Sequence, residues 1–152
     1  MAAARSGPGE GDPLLLEDQL CFALYAASRA VTARYRPLLD ELGLTYPQYL
    51  VMLVLWQHGS ASVRALGDAL QLESSTLSPL IKRLAATGLV TRERRVDDER
   101  SVAVSLTEEG KALREKALAL PPMMGDAMGL TPGQIDTAKD LLRLLSTNVA
   151  KH

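Results

Sequence analysis

Apolar positions along this chain recur at two spacings, one of three to four residues and one of two, and the switch between them marks the elements. From Pro13 a long helix is expected, with Leu16, Leu20, Leu24 and Val31 as its inward stripe. Arg36-Pro37 predicts a break or kink, because the residue before proline disfavours the helical region. A further short turn over Leu38 to Leu42 ends at Gly43. Thr45 then caps a second helix, which tolerates Pro47 in its first turn and runs to Trp56 or Gln57. Leu50, Val51, Met52, Leu53, Val54 and Leu55 make that helix apolar nearly all round, so it should be the buried centre of the domain. His58-Gly59 closes it.

The stretch from Val63 to Leu106 organises the rest. Leu66, Ala69 and Leu70 fall at helical spacing, with Gly67 allowing a close approach. Gln71-Leu72-Glu73 reads as a tight turn. Ser74 or Ser75 should cap the next helix, whose stripe is Leu77, Leu80, Ile81 and Leu84 and whose end is Gly88. Pro79 lies inside it and cannot donate to the Ser75 carbonyl, which predicts a slight bend. The spacing then changes to two. A strand carrying Arg92, Arg94 and Arg95 leads into the loop Val96-Asp97-Asp98-Glu99, and Val102, Val104 and Leu106 alternate with Ala103 and Ser105. Two helices at a tight turn followed by a hairpin predict a helix-turn-helix with a wing, which places one helix in a DNA major groove.

Thr107-Glu108-Glu109 opens a further helix, with its acidic residues where the helix dipole favours them. It is expected to reach Leu120 and break at Pro121-Pro122. Met123, Met124 and Met128 then read as gap-filling core. Thr131-Pro132 opens the last helix, with Ile135, Leu141, Leu142, Leu144 and Leu145 on a broad apolar face. The fold class expected is mainly α with a small β-hairpin wing. Residues 1–12 should be a disordered tail, 13–44 an N-terminal dimerisation and sensor region, 45–106 the winged helix-turn-helix, and 107–152 the C-terminal dimerisation helices. The first and last helices need cover for their apolar stripes, and the simplest cover is the same helices of a second copy.

Charge sharpens this picture at one place only. From Ser74 to Arg95 there are five basic residues (Lys82, Arg83, Arg92, Arg94 and Arg95) against one acidic (Glu93), in a chain of net charge −1. That local excess suits phosphate, and the hydroxyls of Ser74, Ser75, Thr76 and Ser78 suit an approach to base edges. By itself such a helix reads as solvated surface; the basic wing, with Arg100 at the far side of its loop, favours DNA. The apolar run Tyr49 to Trp56 is far short of a membrane span, and the N-terminus lacks a hydrophobic signal core, so a cytoplasmic protein without membrane contact is expected. One cysteine excludes an internal disulfide framework. His58 and His152 stand apart, with no phosphate loop, metal cluster or triad, so no cofactor, no metal and no enzyme activity are expected.

The stretch LGDALQLESSTLSPLIKRLAATGLVTRERRVDDERSVAVSLTEEGKAL resembles the signature of the MarR family of dimeric bacterial repressors, and Asp98-Glu99-Arg100-Ser101 matches that family's wing motif. The likeness runs from Gln19 to about Leu118. More narrowly, DQLCFALYAASRAVTARYRPLLDELGLTYPQYLVMLVLW resembles the organic-hydroperoxide-sensing (Ohr-type) repressors. That resemblance implies Cys21 as the peroxide sensor, Tyr35 and Tyr46 bonded to it across the dimer, Tyr25 nearby, and Arg100 in the minor groove. It also implies a homodimer on a palindromic double-stranded operator, released by organic hydroperoxides.

A lone cysteine on an apolar helix can be mere core filling. Its neighbours argue otherwise. Cys21, Tyr25, Ser28, Thr32 and Tyr35 are spaced 4, 3, 4 and 3, one polar and aromatic stripe beside the leucines. Phenol hydroxyls can donate to a thiolate and stabilise it. Tyr35 lies about 21 Å from Cys21 along a straight helix at ~1.5 Å per residue. If it bonds to Cys21 at all, it does so in the other subunit, with the two first helices antiparallel. The resemblance also implies that some relatives form an intersubunit disulfide with a second cysteine near the C-terminus; this chain has none, so that route is closed off, and a mixed disulfide with a low-molecular-weight thiol, or overoxidation, must serve instead. Three other readings stand beside this one: a MarR-type repressor released by a small apolar or phenolic ligand with Cys21 structural, a cysteine peroxidase, and an architectural DNA protein with no sensor.

Overall fold

The computed structural model describes residues 12–94 and 102–152. Among these residues a single 3-10 turn at Leu16–Asp18 precedes seven α-helices and three strands: α1 Leu20–Asp40, α2 Tyr46–His58, β1 Ser60–Ser62, α3 Val63–Leu70, α4 Ser74–Ala86, β2 Val90–Arg94, β3 Val102–Leu106, α5 Glu108–Ala117, α6 Leu120–Met128 and α7 Pro132–Ala150. The fold class is the expected one, mostly helical with a small antiparallel wing sheet.

Local chemistry sets most boundaries. Thr45 caps α2 with a capping box: the Gln48 N–H donates to Thr45 Oγ1 at 3.3 Å, and the Thr45 N–H donates to Gln48 Oε1 at 2.9 Å. Ser62, Thr107 and Thr131 cap α3, α5 and α7 in the same way, Thr131 with a box to Gln134. Between α3 and α4 the chain crosses itself closely. A Cβ on Gly67 would stand 2.9 Å from the Leu72 carbonyl oxygen, so glycine is needed there. Gln71 takes the left-handed conformation at φ 56° to make the turn. The sheet order is β1-β3-β2, with Ser60–Ser62 against Ala103–Ser105 and Val90–Arg94 against Val102–Leu106. Its core-facing side chains, with Val51, Met52, Leu55, Leu66, Leu77, Ile81 and Leu84, form one cluster that ends at Leu39 of α1 and Leu120 of α6.

Several expectations need correction. The helix expected from Pro13 begins at Leu20, after the 3-10 turn. Pro37 does not break α1, which runs on to Asp40: the Leu38 and Leu39 side chains join the core and hold the helix past the one missing N–H. Pro121-Pro122 do not end a helix but begin α6, since a first turn has no use for those N–H groups. Neither Ser74 nor Ser75 caps α4. The cap position is Glu73, which makes no side-chain cap bond and leaves both hydroxyls exposed. The wing hairpin gains a third strand, β1. Of the three methionines read as core, only Met124 is buried, whereas Met123 and Met128 are exposed.

Among the described residues, α1 and α7 each carry an apolar face without cover. No residue of α7 is buried, and Leu39 alone is buried in α1. Leu20 of α1 is 67% exposed, and Leu141 and Leu144 of α7 are 60% and 58% exposed.

Candidate functional site

The candidate DNA-facing surface is built on α4. Leu77, Leu80, Ile81 and Leu84 are buried and lock the helix against the core, so its other side is held outward. Ser74, Ser75, Thr76, Lys82 and Arg83 are exposed there, and Ser78 is half-buried. Pro79 is exposed on the same side, and α4 continues through it to Ala86. Beside it, Arg92 and Arg94 of β2 are exposed and share one strand face, opposite Val104 and Val102 of β3. Among the described residues the ion pairs are Lys111–Glu108, Lys139–Asp136 and Arg143–Asp140, so no described carboxylate occupies Lys82, Arg83 or Arg92. The expectations for Arg95 and for the wing motif Asp98 and Arg100 lie outside the described residues, as does all but Asp12 of the disordered tail expected over residues 1–12.

The second group of candidates sits on α1 and the start of α2. Cys21 is a free, exposed thiol. Tyr25, one turn on, is exposed, and the Arg29 guanidinium lies over its ring at 5.6 Å from the centroid. The Thr32 hydroxyl donates back to the Ser28 carbonyl at 2.8 Å. At the far end of the stripe the surroundings change. Tyr35 is half-buried, 4.9 Å from the Tyr46 ring and 5.7 Å from the Tyr49 ring, and Tyr46 and Tyr49 stand 6.2 Å apart. The fold therefore brings Tyr35 and Tyr46 together and leaves Cys21 at the opposite end of α1. Within one chain Cys21 cannot meet either phenol.

Burial pushes the Tyr35 phenol above the ordinary tyrosine range, with Tyr49 and then Tyr46 adding to the effect; Tyr49 is raised by burial and then by Tyr46. Both phenols thus stay protonated at neutral pH and can donate hydrogen bonds. Tyr49 belongs to this cluster although sequence reasoning passed over it as part of an apolar run. A signal was available: Tyr46 and Tyr49 are three apart and Trp56 is seven beyond Tyr49, so the three share a helical face. Beside that face is an open cleft of about 350 Å³ lined by Tyr49, Leu53, Trp56, Gln57, Arg114 and Leu118, among others. Among the described residues no cluster of His, Cys, Asp and Glu could hold a metal ion, and no helix is long and apolar enough to cross a membrane.

Comparison with known proteins converges on one group. A family model described as transcriptional regulator SarA/Rot matches residues 33–117. The organic hydroperoxide resistance transcriptional regulator of Bacillus subtilis (strain 168) is 48% identical over 136 residues, 90% of this chain and 90% of that protein. Two solved structures of AbfR, a protein of Staphylococcus epidermidis, are also similar. Reduced AbfR bound to DNA has 32% identity and a TM-score of 0.74, covering 87% of this chain and 92% of that one. Overoxidized AbfR bound to DNA has 34% identity and a TM-score of 0.73, covering 87% and 93%.

Proposed function

As the chain belongs to the SarA/Rot-type regulators of the MarR winged-helix family, and these are transcriptional regulators and not enzymes, we propose that it is a DNA-binding repressor that senses organic hydroperoxides at Cys21 and then releases its operator. The observation that carries this reading is the placement of Tyr35 against Tyr46 at one end of α1, with the exposed Cys21 at the other. Two α1 helices packed antiparallel about a two-fold would bring each cysteine to the partner's tyrosine pair. The uncovered leucines of α1 and α7 support such a homodimer, since burying one leucine is worth about 1.5–3 kcal/mol. Paired winged helices suit a palindromic operator, with α4 of each copy in successive major grooves and Lys82, Arg83, Arg92 and Arg94 on the phosphates.

The chemistry balances as follows. The Cys21 thiolate attacks one peroxide oxygen of ROOH; the S–O bond forms and the O–O bond breaks. The alkoxide leaves as the alcohol after taking a proton, and the sulfur, oxidised by two electrons, becomes a sulfenic acid. A low-molecular-weight thiol then displaces water from that sulfur to give a mixed disulfide, because this chain has one cysteine and cannot resolve the acid internally. The Tyr35 and Tyr46 hydroxyls would donate to the thiolate; oxygen or an adduct on sulfur removes that arrangement and moves the start of α2, which supports the DNA-binding domain.

The deciding experiment is a gel shift on DNA from upstream of the protein's own coding sequence, before and after cumene hydroperoxide. Wild type should bind when reduced and release when oxidised, whereas Cys21→Ser should bind and stay bound. Normal release by Cys21→Ser would sink the redox reading. Release of that variant by phenolic compounds instead would favour the 350 Å³ cleft beside Tyr49 and Trp56 as a ligand site.

A further inference from the structure

The aromatic contacts on α2 continue past Tyr49. Its ring meets Trp56 edge-on at 6.4 Å. Trp56 then leaves the α2 core by one directional bond, its indole N–H donating to the Gly110 carbonyl at 2.8 Å, across 54 positions of sequence.

Gly110 sits where three elements are tied together. Its N–H donates to Thr107 Oγ1 at 3.1 Å, and that hydroxyl donates to the Gly88 carbonyl at 2.6 Å. The Thr107 N–H donates to the Leu89 carbonyl at 3.1 Å. The backbones approach so closely that a Cβ on Gly110 would overlap the Leu89 carbonyl oxygen. Gly88 and Leu89 are the residues through which the recognition helix α4 passes into the wing strand β2. The first turn of α5 is thus fastened to the base of the DNA-reading unit, and Trp56 fastens the same turn to α2.

We propose that Trp56 is a positioning residue that couples the state of Cys21 to the recognition helix, by carrying displacement of Tyr35 and Tyr49 to Gly110; this rests on the redox reading above. Tyr35 packs on Tyr49 and Tyr49 on Trp56, so a shift of the Tyr35 ring is passed along these contacts. A hydrogen bond tolerates little misalignment, and Gly110 has no slack against Leu89. The base of α4 therefore has two arrangements, with the Trp56–Gly110 bond made or broken, and the sensor biases which is occupied.

Trp56 is the chain's one tryptophan, so its emission reads this joint in the unaltered protein. Oxidation of reduced wild-type dimer with cumene hydroperoxide should change that emission in step with loss of the Cys21 thiol. Cys21→Ser treated alike should show no change, which separates the coupling from direct attack on the indole. Emission that stays constant while the thiol is consumed and DNA is released overturns the proposal. Trp56→Phe supplies the second arm. It should lose its thiol at the wild-type rate but, lacking the bond to Gly110, bind DNA more weakly when reduced, so that its reduced-to-oxidised affinity ratio falls about fivefold or more. A full wild-type ratio overturns the coupling. If Trp56→Phe fails to fold, as circular dichroism would show, the wild-type emission decides alone. A thiol that survives peroxide in wild type defeats the redox reading itself, and the coupling with it, and the thiol titration tells that failure from the others.

Discussion

The phenols of Tyr35 and Tyr49 are both held above the ordinary tyrosine value of 10.0, chiefly by burial. The sign of the consequence is fixed by linkage. A group whose folded value is raised favours the protonated state in the fold, so its contribution is complete below the ordinary value and is lost as pH climbs through the raised one. Thermal unfolding should therefore hold steady from neutral pH to about 10 and then fall, as ionisation puts charge among three close rings. Tyr35→Phe and Tyr49→Phe should each flatten that alkaline fall; slopes identical to wild type would show that these phenols are not the groups responsible. At neutral pH the same burial keeps them as hydrogen-bond donors, the role a thiolate partner requires.

At the level of the elements, α2 matters most because both Tyr46 and Trp56 ride on it. Its start is fixed by Thr45 and the buried Gln48, which satisfy each other's neighbouring N–H groups. Thr45→Ala should cost about 1 kcal/mol and lower the melting temperature by about 2–4 °C for a domain of this size, with a scanning calorimeter as the check; an unchanged transition would mean the cap is idle. This start was legible in the sequence because a cap, a proline and an apolar run all point to the same residue. The turn at Gln71-Leu72-Glu73 and the stripe of α4 were legible from the helical spacing of Leu77, Leu80, Ile81 and Leu84, although its capping residue was not. Strand β1 was not, since Ser-Ala-Ser carries no period and exists through pairing with Ala103–Ser105, more than forty residues away. Pro37 and Pro121 misled because proline marks both an obstacle and a favoured first turn, and burial decides between them. The Tyr35–Tyr46 contact was legible only through family likeness. The link from Tyr49 through Trp56 to Gly110 was hidden because those residues read simply as the middle of a buried helix.

For the whole molecule the decisive feature is an imbalance. The winged-helix core is closed, while Leu20, Phe22 and Leu24 of α1 and Leu141, Leu144 and Val149 of α7 lie in solvent in the single chain. These side chains stand outside the core cluster, so removing one should leave the DNA-reading unit folded. A charge among them should instead oppose pairing, because a carboxylate must lose its hydration to enter an apolar contact. Leu144→Asp is therefore expected to sediment as a monomer while keeping the circular dichroism of the parent. DNA affinity then separates the two ways the protein could read an operator. If each half-site is bound independently, affinity per copy is unchanged by the substitution. If two linked recognition helices act together, the second contact is made at a high effective concentration, and losing the link should weaken binding by about a hundredfold or more. The geometry favours the second outcome, because Cys21 and the Tyr35–Tyr46 pair lie at opposite ends of α1 and can meet only between copies. A monomeric Leu144→Asp that keeps both full DNA affinity and peroxide release would show that neither the grip nor the sensor needs the second chain.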